Sequence, residues 1–258
     1  MGEWLRGWFI AGFPWGDVSY TQVNNFLLQG FFPLIGSYGV SWLSLSIIGF
    51  LFLVIVNHKI MVSTKPQITR LQRLSIVYFV ILAICGYYLH DKEYTQPYGK
   101  LTKVALLQGN LNGAEKWETN KFLEHLDMYA SMISRSKADI ILLPETAIQT
   151  FAEYLPEHYL DDIINLAKLN HAELIVGLPR KINASGDYVN SATVFTQAGY
   201  PYYAKAHLVP FGEYIPLKWF WGKIYSFANI PMVGFSPGAY DQAPLTLANQ
   251  KLAFNICY

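Results

Sequence analysis

Between Val18 and Asn57 the chain carries no Asp, Glu, Lys or Arg. In an ordinary globular domain roughly a quarter of the residues are charged, so this stretch does not belong to one. Phe32 to Asn57 is apolar and aromatic, most strongly from Leu43 to Val56, and exceeds the roughly 20 residues of a bilayer crossing. A second uncharged stretch, Leu74 to His90, lies at the short end of the spanning range and closes on Tyr87 and Tyr88, as an interfacial belt does. A segment that short also fits a buried core helix. The pattern predicts a membrane region over residues 1–95, with transmembrane helices at about 32–57 and 74–90, and a second domain over residues 96–258.

The connection between the two spans, His58 to Arg73, holds Lys59, Lys65, Arg70 and Arg73 and no acid. Basic loops stay on the cytoplasmic side, so everything after His90 is expected on the opposite side. Trp4, Trp8 and Trp15 precede the first span. They suit the headgroup level, and they equally suit packing between helices. A net charge of +1 gives no electrostatic footprint for nucleic acid. The two cysteines, Cys85 and Cys257, do not make a disulfide scaffold. Six histidines occur singly, without a metal-binding spacing, so no metal is expected.

Charge density rises after Asp91, and Gln96-Pro97-Tyr98-Gly99 reads as a short linker. Val104 to Leu107 and Ile140 to Leu143 are continuous apolar runs that read as buried strands. Glu173 to Leu178, Ser191 to Thr196 and Leu252 to Cys257 add three more. Phe122, Leu123, Leu126, Tyr129, Ala130 and Ile133 recur at helical spacing, as do Leu160, Ile163, Ile164 and Ala167. Alternating strand and helix predicts an α/β domain. Such domains gather functional groups at the carboxyl ends of strands, where Glu145 and Cys257 both fall.

Taken singly, Glu145, Lys205 and Cys257 have plain readings: a strand-end charge, a surface lysine and a buried small hydrophobe. Together they supply a chemistry. A thiol needs a base or a positive field to become a thiolate near neutral pH. A carboxylate takes its proton, and a lysine holds the charge that develops on an attacked carbonyl.

Three blocks carry a resemblance. Leu143-Pro144-Glu145-Thr146-Ala147, the segment from Tyr203 through Lys205 to Pro216, and Asn255-Ile256-Cys257-Tyr258 resemble the motif blocks of the nitrilase superfamily. His207 to Pro216, with the Trp-Leu-Arg-Gly-Trp and Gly-Phe-Pro-Trp elements and the spans, resembles the apolipoprotein N-acyltransferase family within it. The resemblance implies a nitrilase-like α-β-β-α sandwich, incomplete here, preceded by transmembrane helices. It implies Glu145 as general base, Lys205 as stabiliser of the oxyanion and Cys257 as nucleophile. Glu213 matches a second glutamate of the site, and Tyr258 offers its backbone N–H to the oxyanion. Trp117 matches a tryptophan near a lipid entrance, and it also reads as an anchor at a helix start.

The implied reaction acylates the diacylglyceryl-modified N-terminal cysteine of an apolipoprotein. A membrane phospholipid is the donor, a Cys257 thioester is the intermediate and no cofactor is required. The implied location is a bacterial inner membrane, multi-pass, with the catalytic domain periplasmic. The run from Trp219 and Trp221 to Phe235 is apolar for a water-facing domain and is read as an arm that dips toward lipid, with buried core as the other reading. Against the family pattern, later segments that complete the site are absent, and the start resembles a middle membrane helix. The chain is therefore expected to be a fragment of a longer protein, inactive as a separate polypeptide. Two rival functions are a membrane-tethered nitrilase-type amidohydrolase and an inactive scaffold.

Overall fold

The computed structural model describes residues 2–9, 12, 15–61, 70–112, 116, 118–183, 186–196, 199–217, 219–221 and 234–257. The chain divides into two compact units, Met1–Gly99 and Lys100–Tyr258.

In the first unit a short helix α1 (Gly2–Arg6) and 3₁₀ turns at Val18–Gln22 and Gln29–Phe31 precede α2 (Phe32–Met61), and α3 (Arg70–His90) follows. Gly36 breaks α2 one turn in, at φ 66°, a conformation that glycine adopts at little steric cost. Gln29–Ile55 and Gln72–His90 contain 18-residue windows with mean hydropathies of 2.1 and 1.5 and are long and apolar enough to cross a membrane. Only 22% and 17% of these windows are buried inside the chain. A core helix would be mostly covered, and neither helix is covered to that extent within this chain. Trp42, Ile48, Phe52 and Ile84 instead point outward, as lipid-facing side chains do. The helices meet through Leu28, Val40, Leu43 and Leu82, and the Ser46 and Tyr78 hydroxyls bond across them. Ahead of them Arg6 pairs with Asp17, and Glu3 accepts from the Val18 N–H. Trp4, Trp8 and Trp15 are exposed. In the basic connection, residues 62–69 lie outside the described residues.

The second unit is mixed α/β. Strands β1 (Val104–Leu106), β2 (Ile140–Leu142), β3 (Glu173–Lys181), β4 (Tyr188–Phe195) and β5 (Tyr202–Ala204) form one sheet in that order. β1, β2 and β3 run parallel, β4 is antiparallel to β3, and β5 is antiparallel to β4. Helices α4 (Phe122–Arg135) and α5 (Tyr159–Leu169) cover one face. Leu126, Tyr129 and Ile133 of α4 and Ile163, Ile164 and Ala167 of α5 pack against Ile141, Leu174, Val176 and Leu178. These positions recur every three or four residues, the spacing of one helical face. Asp161 and Asp162 in the first turn of α5 and Lys168 in its last suit the helix dipole.

The opposite face carries Ile140, Ile175, Ala192 and Val194. A hairpin of β6 (Leu245–Leu247) and β7 (Gln250–Leu252) covers it through Leu247. Ala248 and Asn249 turn this hairpin, both at positive φ, as a two-residue turn of the primed type requires.

Four expectations need correction. The strand expected over Leu252 to Cys257 does not form: β7 ends at Leu252, and residues 253–257 make no ladder. Phe254 and Ile256 lie against the Leu247 cluster instead. Cys257 is therefore not at a strand end. β1 is not a buried strand, since Val104 and Leu106 are 52% and 72% exposed at the edge of the sheet. Leu123, counted in the α4 stripe, is exposed. β3 and β4 are longer than expected and pair antiparallel, while the expected alternation runs from β1 through α4, β2 and α5 to β3.

Candidate active site

The parallel strand β2 runs into Leu143 and Pro144, and the chain then turns at Glu145 and Thr146. The turn is tied to β3, because the Ile148 N–H donates to the Gly177 carbonyl at 3.2 Å. Gly177 is needed there. A Cβ on it would lie 2.1 Å from Pro144 O and 2.8 Å from Glu145 Cα. The absence of that side chain lets β3 support the segment that carries the carboxylate.

Lys205 follows β5. Its N–H donates to the Asn190 carbonyl at 2.8 Å, which fixes the backbone of the two neighbouring strands. Its side chain is 3% exposed and lies between two carboxylates, with Nζ 3.1 Å from Glu145 Oε1 and 2.9 Å from Glu213 Oε2. Glu213 sits on a loop folded back on itself. Its Oε2 accepts from the Val209 N–H at 2.8 Å, and its own N–H donates to Val209 O.

Asn190 of β4 completes the cluster. Its Nδ2 donates to Glu145 Oε1 at 2.6 Å and to Glu213 Oε1 at 2.9 Å. Two acceptors on one side determine which end of the amide faces them. Burial disfavours the Lys205 ammonium, but the hydrogen bonds and charges of Glu213 and Glu145 outweigh it and raise its pKa above the ordinary lysine value. The group is thus a fixed cation flanked by two carboxylates. Glu145 is the more open of the two, 34% exposed against 12% for Glu213. An open cleft of about 400 Å³ reaches Glu145 from the carboxyl ends of β1 and β2, past Gln108, Asn110 and Tyr129.

Three residues picked from the sequence, Glu145, Lys205 and Glu213, come together here. Cys257 does not join them. It is exposed, at φ 62°, and among the described residues no hydrogen bond links its thiol to Glu145 or Lys205. Tyr258 and Trp117 lie outside the described residues, as do residues 222–233 of the apolar run. Trp219 is 81% exposed, Phe220 is exposed and Trp221 is half-buried, edge-on to Phe211. At this end of the run Trp219 and Phe220 face outward while Trp221 keeps a ring contact. At its other end Phe235 is buried and packs on Tyr188.

Asn190 was missed. Its signal is an asparagine, a poor strand former, inside the run Tyr-Val-Asn-Ser-Ala-Thr-Val-Phe that forms β4.

Residues 103–258 match the family model described as carbon-nitrogen hydrolase, and residues 1–50 match the apolipoprotein N-acyltransferase N-terminal domain. A protein of Chromobacterium violaceum named apolipoprotein N-acyltransferase is 39% identical, covering 100% of this chain and 48% of that protein. One of Neisseria meningitidis serogroup B with the same name is 35% identical, covering 100% of this chain and 50% of that protein. The chain thus spans about half the length of the curated relatives it matches. A crystal structure of a carbon-nitrogen hydrolase from Helicobacter pylori G27 is similar at 22% identity and a TM-score of 0.35, over 58% of this chain and 49% of that one.

Proposed function

We propose, because the chain belongs to the carbon-nitrogen hydrolase family, that it performs acyl transfer through a cysteine thioester, N-acylating the N-terminal cysteine of diacylated apolipoproteins. The observation that carries this reading is the Glu145–Lys205–Glu213 cluster, a base beside a buried cation. The names of its relatives favour a lipoprotein acceptor over water.

Glu145 takes the thiol proton of Cys257, and the thiolate attacks the ester carbonyl of a membrane phospholipid. Lys205 stabilises the oxyanion of the tetrahedral intermediate. The intermediate collapses to a thioester, and Glu145 returns the proton to the departing lysophospholipid oxygen. The free α-amine of the diacylglyceryl-cysteine then attacks the thioester and gives up a proton to Glu145. The amide forms, and the leaving Cys257 sulfur is reprotonated. Splitting one transfer into two is ordinary covalent catalysis, and its balance needs no cofactor. It requires the Cys257 sulfur to come within about 3 Å of Glu145, with Glu213 and Asn190 holding the base in orientation. We assign Tyr258 to the oxyanion through its backbone N–H, and Trp117, Trp219 and Trp221 to the lipid substrate.

Two outward apolar helices and a basic connection support an inner-membrane, multi-pass protein with this unit on the periplasmic side. The test supplies the membrane-embedded protein with phospholipid labelled in its acyl chain and a diacylglyceryl peptide. Label on the peptide α-amine supports the proposal. Label released only as free fatty acid indicates a hydrolase instead.

A further inference from the structure

A second lysine stands beside Glu145, outside the cluster of carboxylates and Lys205. Lys116 Nζ donates to Thr146 Oγ1 at 2.7 Å and to the Glu145 carbonyl oxygen at 3.2 Å. The chain is strained at this spot. Thr146 has φ 47°, in the left-handed region, where a β-branched residue is an outlier. Such conformations persist only where the surroundings enforce them.

Among the described residues, the Leu143 N–H ties the entrance of the turn to Ile175 O at 2.9 Å, and its exit is held by the Ala147 N–H donating to Pro144 O at 3.1 Å and the Ile148 N–H to Gly177 O at 3.2 Å. The peptide between Glu145 and Thr146, which carries the strain, is gripped by Lys116. Lys116 is half-buried, and burial pushes its ammonium below the ordinary lysine value while the Glu145 charge opposes this. Glu145 is therefore fixed at both ends, its backbone by Lys116 and its carboxylate by Asn190 and Lys205.

We propose that Lys116 is a positioning residue for Glu145, holding the strained Glu145–Thr146 peptide so that the carboxylate stays aimed at the reacting thiol. This rests on the reading of Glu145 as the base. A rival role is available, because Lys116 and Glu145 line the same cleft: the ammonium could instead contact substrate. The two roles differ in what glycine at position 146 does. Glycine adopts positive φ at little cost, so it relieves the strain that Lys116 holds but does nothing for a lost substrate contact.

The test compares the intact membrane protein with Lys116→Met and with Lys116→Met/Thr146→Gly. Hydrogen exchange is followed in the peptide spanning residues 143–150, with the β3 peptide as the control for folding. Acylation kinetics are followed on labelled phospholipid. Lys116→Met is expected to speed exchange at Ala147 and Ile148 with β3 unchanged. It is also expected to lower kcat roughly 10- to 100-fold, the scale of a misplaced catalytic group, with KM unchanged. The added glycine is expected to recover part of the lost rate. Exchange identical to the unsubstituted protein overturns the proposal, as does a raised KM with kcat kept, or a rate that glycine does not recover. If the unsubstituted protein never labels Cys257, the reading of the reaction fails, and the exchange comparison alone still decides whether Lys116 holds the turn.

Discussion

Asn190 and Glu145, 45 positions apart in sequence, are joined by a 2.6 Å hydrogen bond from Nδ2 to Oε1, and the same amide nitrogen reaches Glu213 Oε1 at 2.9 Å. One neutral side chain thus aligns both carboxylates. Asn190→Ala leaves each with one donor fewer. We expect an acylation rate roughly 10- to 100-fold lower and a stability loss of about 1–3 kcal/mol. Asn190→Asp is expected to be worse on both counts, since it adds a third acid beside two. Initial rates and thermal melts of the two variants check this.

Lys205→Met removes the buried cation between Glu145 and Glu213. Removing one partner of a buried pair costs about 3–5 kcal/mol, and the low end applies because Glu145 is a third exposed. Acylation should vanish. The pH dependence has a definite sign. The Lys205 pKa is raised in the folded protein, so its contribution to stability is complete below the unfolded value of about 10.4 and is lost as pH rises through the folded value. Melting temperatures measured above about pH 10 should fall more steeply for the unsubstituted protein than for Lys205→Met.

Gly177→Ala tests the support beneath the base. Its Cβ meets backbone, 2.1 Å from Pro144 O, and backbone yields less easily than a side-chain tip. We expect a cost of about 1–3 kcal/mol together with a lower acylation rate, read by denaturant titration and single-turnover labelling.

Trp219→Ser with Trp221→Ser separates lipid contact from folding. Trp219 is 81% exposed, so its replacement should change stability by no more than about 0.5 kcal/mol, with the Trp221–Phe211 contact adding little. Phospholipid turnover should fall while the melt is nearly unchanged. A collapse of the melt would show that this segment belongs to a core.

The parts legible in the sequence were those with strong local signals. β2 and its exit at Pro144 follow from an apolar run and its terminator, and the buried faces of α4 and α5 from their spacing. Glu145, Lys205 and Glu213 were identified by motif, and their convergence depends on pairings that local pattern does not encode. β5 is three residues long, and its edge position rests on the register Ala192↔Tyr203. The antiparallel sense of β4 comes from a hairpin, in which Lys181 pairs with Tyr188 across residues 182–187. Asn190 lies one residue ahead of the apolar run Ser191–Thr196, and nothing in the local pattern marks it as the partner of two carboxylates. The segment before Cys257 has the apolar content of a strand, yet Phe254 and Ile256 pack on the hairpin cluster without ladder partners, and composition does not distinguish the two.

Cys257 is the residue proposed to carry the acyl group. The most direct measurement is the intact mass of the membrane protein after incubation with phospholipid labelled in one acyl chain, followed by peptide mapping and hydroxylamine treatment, with Cys257→Ala alongside. One acyl mass on the Cys257 peptide is expected, released by hydroxylamine and absent from the variant. Transfer of the acyl chain with no adduct on Cys257, or equal labelling of Cys257→Ala, would contradict it.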